Sequence, residues 1–235
     1  MTTNRIPDTF RITQGAHGLM AVALRVQHLN SAALARVADL GNGSCDVFFT
    51  TPFGVTVARR VRGTVSRDGV VIPIMELIEG LKAEEAEGAG GAAPEGTAVD
   101  ACELSFHSHD GAWPGALPPL SAFQLLDEIP AADALRLADE GRALARQFSG
   151  PLGPPASLLD QEVIHVTSVD GTKDCAIPMR SIFACAALSF IPPLGAKLPA
   201  SIPRTLRVSV AGRWVRIDAP FGSVYRNEGL PLLSL

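Results

Sequence analysis

The chain has 235 residues, of which 47% are hydrophobic and 19% charged, with a formal net charge of −4. The apolar fraction excludes a disordered chain, and no apolar run reaches the ~18–20 residues of a membrane span, the longest being Ser181 to Ile191. The opening MTTNRIPDTF lacks the apolar core of a signal peptide, so a soluble, cytoplasmic protein of one large or two small domains is expected.

Thr9–Gln14 reads as a strand broken at Gly15. Leu19–Leu40 carries Leu24, Leu34 and Val37 near helical spacing, and Ser31 could cap a second helix within it. Across Asp46–Arg62, Val55, Val57 and Val61 alternate with polar residues, the pattern of a half-buried strand after a turn at Thr51-Pro52-Phe53-Gly54. Thr64–Ile72 reads as a hairpin turning at Asp68-Gly69, with a helix from Pro73 or Ile74 to Leu81. Ala83–Thr97 is rich in Gly, Ala and Glu and has no aromatic residue. It is the best boundary candidate, giving an N-terminal α+β region of residues 1–82, a linker or loop of residues 83–98 and a C-terminal α+β region of residues 99–235.

Val99–His109 is a strand candidate, followed by turns at Asp110-Gly111 and Trp113-Pro114-Gly115. Leu120–Glu128 reads as a short helix stopped near Pro130. Ala131–Phe148 is the best helix signal, with Asp133 near its start and Arg142 and Arg146 near its end. A Pro/Gly connector follows at Pro151–Ala156. Glu162–Val169 is a strand turning at Asp170-Gly171, Pro178–Phe190 an apolar helix, Thr205–Asp218 a hairpin and Ser223–Arg226 a last strand before the apolar tail LPLLSL, which is expected to dock. Strands come in hairpins with helices between them, so the fold class is α+β with mainly antiparallel β-hairpins and interspersed helices.

There is a hint of two similar halves. Each half holds a Pro-Phe-Gly turn (Pro52-Phe53-Gly54; Pro220-Phe221-Gly222) and an Asp-Gly turn running into Ile-Pro and a helix (DGVVIPIMELI; DGTKDCAIPMRSI). The order is reversed between halves, a shared tripeptide arises readily by chance, and no fixed repeat period supports a duplication.

The most specific local run is Glu103-Leu104-Ser105-Phe106-His107-Ser108-His109-Asp110. On a strand, Glu103, Ser105, His107 and His109 share one face, and Cys102, Leu104 and Phe106 the other. Two imidazoles at i and i+2, about 7 Å apart at Cα, can reach one divalent metal such as zinc. A third ligand would come from His17, His28, His165, Asp110 or Glu103. The run partly resembles the H-x-H-x-D-H motif of the metallo-β-lactamase fold but departs from it, because Asp110 directly follows His109 and no further His follows. The commoner reading of such a pair is the solvent face of an edge strand. Trp113 either lines a pocket beside His107, His109 and Asp110 or pins a loop to the core. His165 reads as a partly buried histidine in an apolar strand.

Charge is segregated: residues 76–140 hold 14 acids and two bases, and the flanks 1–75 and 141–235 each carry a net of +4. Arg59, Arg60, Arg62 and Arg67 cluster on one hairpin, and Arg204, Arg207, Arg213, Arg216 and Arg226 on another. These ribbons suit a polyanion, or they are neutralised within the molecule by the acidic middle. The negative total charge makes nucleic acid an unlikely partner. Cys45, Cys102, Cys175 and Cys185 form no C-x-x-C pair and read as reduced, buried thiols. Hydrolase, phosphate-loop, dinucleotide and zinc-protease signatures are absent.

The residues therefore favour a noncatalytic binding or assembly protein that self-associates. The two alternatives are a metal-assisted hydrolase using the His107/His109 face, with those two residues as metal ligands, and a polyanion or nucleic-acid binder using the arginine hairpins. The sequence does not decide whether the chain is an enzyme, names no small-molecule ligand and implies no membrane partner.

Overall fold

A computed structural model describes residues 6–88, 100–148 and 155–228. They form two compact units, one from residues up to Pro52 together with Ala58–Ala116, the other from Phe53–Val57 together with Leu117 onward. The boundary falls at Ala116/Leu117 because the strand Cys102–Phe106 pairs with Asp8–Ile12 and so belongs with the N-terminal residues. The stretch 83–98 begins within a helix that ends at Gly88, and its residues 89–98 lie outside those described, as do 151–154 of the Pro/Gly connector and the tail 230–235.

Unit 1 holds β1 (Asp8–Gln14), α1 (Ala16–Leu29), β2 (Leu34–Asp39), β3 (Ser44–Phe49), β4 (Thr56–Val65, its first two residues counted with unit 2), β5 (Val71–Pro73), α2 (Ile74–Gly88) and β6 (Cys102–Phe106). Its strands follow the order β5-β2-β3-β4, and β1 joins β4 to β6. The β1–β4, β1–β6, β2–β3 and β2–β5 ladders are all antiparallel. Helices α1 and α2 pack on each other, and α2 on β5 and β6. Their buried faces (Leu19, Ala23 and Val26; Ile74, Leu77, Ile78 and Leu81) build the core with Phe10, Ile12, Val37, Val47 and Phe49.

Unit 2 holds β7 (Gln124–Pro130), α3 (Ala131–Phe148), the single-turn α4 (Ala156–Leu159), β8 (Glu162–Thr167), β9 (Asp174–Pro178), α5 (Met179–Ala187), β10 (Thr205–Ala211), β11 (Trp214–Ala219) and β12 (Gly222–Asn227). The sheet order is β12-β11-β10-β7, and β8 and β9 form a separate hairpin. The ladders within this unit are antiparallel as well. Helix α3 packs on α5, and α5 on β9 and β12.

The fold is α+β, mainly antiparallel, and the two units share one frame. Leaving α4 aside, each runs strand, helix, strand, strand, helix, strand: β1-α1-β2-β5-α2-β6 in unit 1 and β7-α3-β8-β9-α5-β10 in unit 2. In both, the first strand pairs the last (β1–β6, β7–β10) and the second pairs the third (β2–β5, β8–β9). The Asp-Gly turns occupy equivalent places, each leading into a strand that ends in Ile-Pro (Ile72-Pro73, Ile177-Pro178) and at once into a helix. Proline suits that junction because it ends pairing without losing a helical hydrogen bond. The Pro-Phe-Gly turns link the extra strand pairs, β3–β4 after the second frame strand and β11–β12 after the last. That difference in insertion point is why their order along the chain is reversed.

Two expected helices are strands. Residues 34–39 form β2 and 124–130 form β7, each paired along its length with another strand. Leu24, Leu34 and Val37 share helical spacing, but α1 ends at Leu29 and Ala35 and Val37 are buried in β2. The strand expected to run to His109 stops at Phe106. All four cysteines are free and buried, and no helix among the described residues is long and apolar enough to cross a membrane.

Candidate functional site

The His107–Asp110 segment leaves β6 and crosses to the outer edge of β5. Cys102 and Leu104 are buried and Glu103 and Ser105 exposed, as strand alternation requires, but His107 and His109 lie beyond the strand. The Val71 N–H donates to Ser108 Oγ at 2.7 Å and the His109 N–H to the Val71 carbonyl at 2.9 Å. Ser108 also donates its hydroxyl to Asp110, which accepts from Arg67 at 3.1 Å. Arg67 reaches Asp8 as well, and its hydrogen bonds to Asp110 and Asp8 hold its guanidinium protonated even more firmly than usual. The segment thus closes a sheet edge. Trp113, after the short turn Asp110–Ala112, is buried, and its Nε1 has no hydrogen-bond partner among the described residues.

The histidines are scattered. His109 Nε2 stands 3.6 Å from Glu76, His165 Nε2 3.5 Å from Glu162, and His17 Nδ1 2.8 Å from Asp100. His107 and His28 are exposed. Among the described residues no three His, Cys, Asp or Glu side chains converge on a position suited to a metal ion.

The arginine ribbons are largely engaged with carboxylates of the same chain. Arg60 makes a bidentate pair with the buried Asp46, both contacts at 2.7 Å. Arg67 meets Asp8 and Asp110, Arg207 meets Glu128, and Arg11 meets Glu103. Arg216 stacks 4.4 Å over the Phe123 ring and lies 2.9 Å from Asp218. Acids from residues 76–140 neutralise several of these bases, as the charge segregation suggests.

Where β1, β3 and β4 meet the start of α1, a polar cavity of about 500 Å³ opens in unit 1. Gln14 ends β1 and Gly15 precedes α1, Asn42 lies in the turn before β3 and Ser44 opens β3, Arg59, Arg60 and Arg62 come from β4, and Asp100 from the approach to β6. Gly15 has a positive φ, which turns the chain from strand into helix. Asp100 caps that helix: its carboxylate accepts from the Gly15 N–H at 2.6 Å, the His17 N–H at 2.7 Å and His17 Nδ1 at 2.8 Å. Burial opposes ionisation of this carboxyl, but the hydrogen bonds from His17 and Gly15 outweigh it and hold Asp100 below the ordinary carboxylate range. Arg59 lies against Gly18 in the first turn of α1, where a Cβ would come within 2.8 Å of its Nη2. Its partial burial pulls its pKa down from the usual value, opposed by the Asp100 charge.

Sequence reasoning singles out Arg59, Arg60 and Arg62 but misses Asp100, Gln14, Asn42 and Ser44. Asp100 lies 85 positions from Gly15, so no local signal marks it as the cap of α1.

Unit 2 has a smaller, apolar cavity of about 250 Å³ between α3 and α5, lined by Phe53, Ala145, Phe183 and Ala186 together with Arg142 and Arg146. Phe53 reaches it from the first Pro-Phe-Gly turn. Its ring centroid is 6.5 Å from that of Phe183, and its carbonyl accepts from Arg180 at 2.7 Å.

Residues 8–102 match the family model described as Domain of unknown function (DUF8010), and residues 118–231 match a second, Domain of unknown function (DUF8185). No curated protein matches the chain in sequence. The structure is similar to DNA polymerase sliding clamps. The clamp from Pseudomonas aeruginosa with ligand aligns at 12% identity and a TM-score of 0.51 over 94% of this chain and 64% of that one. The clamp from Bacillus subtilis aligns at 12% identity and 0.50 over 94% and 64%, and that from Caulobacter crescentus at 12% and 0.50 over 94% and 66%. The chain therefore spans just under two thirds of the length of these clamps, and the likeness is one of fold.

Proposed function

We propose that this chain is a noncatalytic assembly protein of the cytoplasm that self-associates on a sliding-clamp fold. The observation that carries the reading is the likeness to clamps, which runs over 94% of the chain and so takes in both units. Two sheet ends support it. Among the described residues β6 has its only ladder partner in β1, and β7 its only one in β10. A strand paired on one side presents N–H and C=O groups that a second copy can pair. By contrast, Ser108 and His109 close the outer edge of β5.

Charge argues for protein partners over nucleic acid. The chain carries 24 acids against 20 bases, whereas affinity for a phosphate backbone comes from an excess of Lys and Arg.

Sedimentation of the full chain up to about 100 μM tests the reading, because self-association follows mass action. The expected result is a defined species heavier than the 24.7 kDa chain, with amide exchange in β6 or β7 slowing as it forms. A species of 24.7 kDa at every concentration would overturn the proposal.

A further inference from the structure

We infer that the apolar cavity of unit 2 binds a small aromatic monocarboxylate. The space of about 250 Å³ between α3 and α5 stands at the lower limit of small-molecule sites, so its occupant has about a dozen non-hydrogen atoms. Two aromatic rings and three methyl groups form most of its wall: Phe53, Phe183, Ala145, Ala186 and Ala187. None of these side chains donates or accepts a hydrogen bond, so the body of the ligand is apolar. Gly141 brings the helices together one turn before the cavity, since a Cβ there would fall 2.8 Å from Met179 Cε and 2.9 Å from Phe183 Cε1. The three alanines then leave a space that larger side chains would fill.

The Phe53 wall is fixed from behind. Its carbonyl accepts from Arg180 at 2.7 Å, Arg180 is held in turn by Asp160, and Gly54 turns the chain at a positive φ of 71°. The Phe53 and Phe183 rings are tilted by 53°, so a third ring packed against the pair finds both a face and an edge. Arg142 and Arg146 supply the charge, and no carboxylate lines the space. Both arginines are exposed and so stand at its mouth. Arg142 meets Asp139 on the same helix in an exposed pair of little strength, and no carboxylate among the described residues pairs with Arg146. An apolar space with cations at its mouth and no anion in its lining suits a ligand that is apolar at one end and anionic at the other. One open guanidinium fork takes one carboxylate through two parallel hydrogen bonds.

The test is a titration of the intact protein, labelled at its alanine methyls, with 4-phenylbutyrate and with the uncharged 4-phenylbutanol. The expected result is one-to-one binding of the acid with a Kd of about 1 mM or tighter and shifts of the Ala145, Ala186 and Ala187 methyl signals. The alcohol should bind at least about tenfold more weakly. The Arg142→Gln/Arg146→Gln variant changes two exposed positions and should lose about tenfold for the acid while holding the alcohol within about twofold. Ala186→Leu, which fills the space, should abolish binding of both; if it fails to fold, the arginine variant carries the test. No shift at about 20 mM acid would overturn the proposal, as would equal affinity for acid and alcohol or undiminished affinity in the arginine variant. So would methyl signals that move with protein concentration and do not respond to the acid, which would assign this face to a second copy of the chain.

Discussion

Asp100 holds the first turn of α1 through three hydrogen bonds, and two of its donors are backbone N–H groups that a helix start leaves unsatisfied. Its depressed pKa in the folded protein means that its contribution to stability is present above the unfolded carboxylate pKa and is lost as pH falls through the folded value. Asp100→Asn should therefore lower Tm at neutral pH and flatten the fall of Tm below about pH 4. Thermal melts across that range check it, and an unchanged acid limb would contradict the assignment. Gly63 is a second position decided by contact. A Cβ there would stand 2.2 Å from the Arg11 carbonyl oxygen, where β4 presses on β1. Because the obstacle is backbone, Gly63→Ala should cost about 2–4 kcal/mol in urea denaturation. Neither residue announces itself: Asp100 falls within the strand candidate Val99–His109 and Gly63 between the elements expected over Asp46–Arg62 and Thr64–Ile72, whereas β4 runs through Gly63 to Val65.

Among the elements, α3 is the most legible. Its apolar spacing, Asp133 in the first turn and Arg146 in the last predict Ala131–Phe148, which is the helix observed. The β8–β9 and β10–β11 hairpins follow from their alternation and from Asp170-Gly171 and Ala211-Gly212. Strands β2 and β7 read as helix because six or seven residues rich in Leu, Ala, Asp and Glu satisfy a helical period by accident, and cross-strand pairing overrides propensity in so short a piece. The two Pro-Phe-Gly turns show that one tripeptide can serve two ends. Gly54 takes a positive φ of 71°, a turn requirement. In the second turn, a Cβ on Gly222 would fall 2.5 Å from the ring of Phe190, which is wholly buried. Gly222→Ala should thus destabilise by about 1–3 kcal/mol through overpacking, and denaturation that matches the parent would refute the contact.

At the scale of the molecule, the acidic middle segment and its basic flanks meet in ion pairs among the described residues. Arg11–Glu103, Arg67–Asp110 and Arg207–Glu128 all join one of the flanks to residues 76–140, and each pair is 40% exposed or more. Exposed pairs contribute little and are screened by salt. Raising ionic strength from about 0.05 to 0.5 M should shift Tm by only a degree or two, while a large fall would mean that these pairs hold the fold. The repeated frame is equally a property of the whole. Equivalent Ile-Pro junctions are visible in the chain, but only the pairing of β1 with β6 and of β7 with β10 makes them corresponding elements. Taken alone, the sequence determined what local chemistry controls: α+β class, hairpin turns, the best helix and buried thiols, because period, turn residues and apolarity act over a few positions. Tertiary structure alone decided which strands pair beyond those hairpins, where the units divide, that His107–Asp110 closes a sheet edge, and that Asp100 and Arg59 line one cavity at the start of α1. Those outcomes depend on contacts between residues tens of positions apart, and no local pattern encodes the partner.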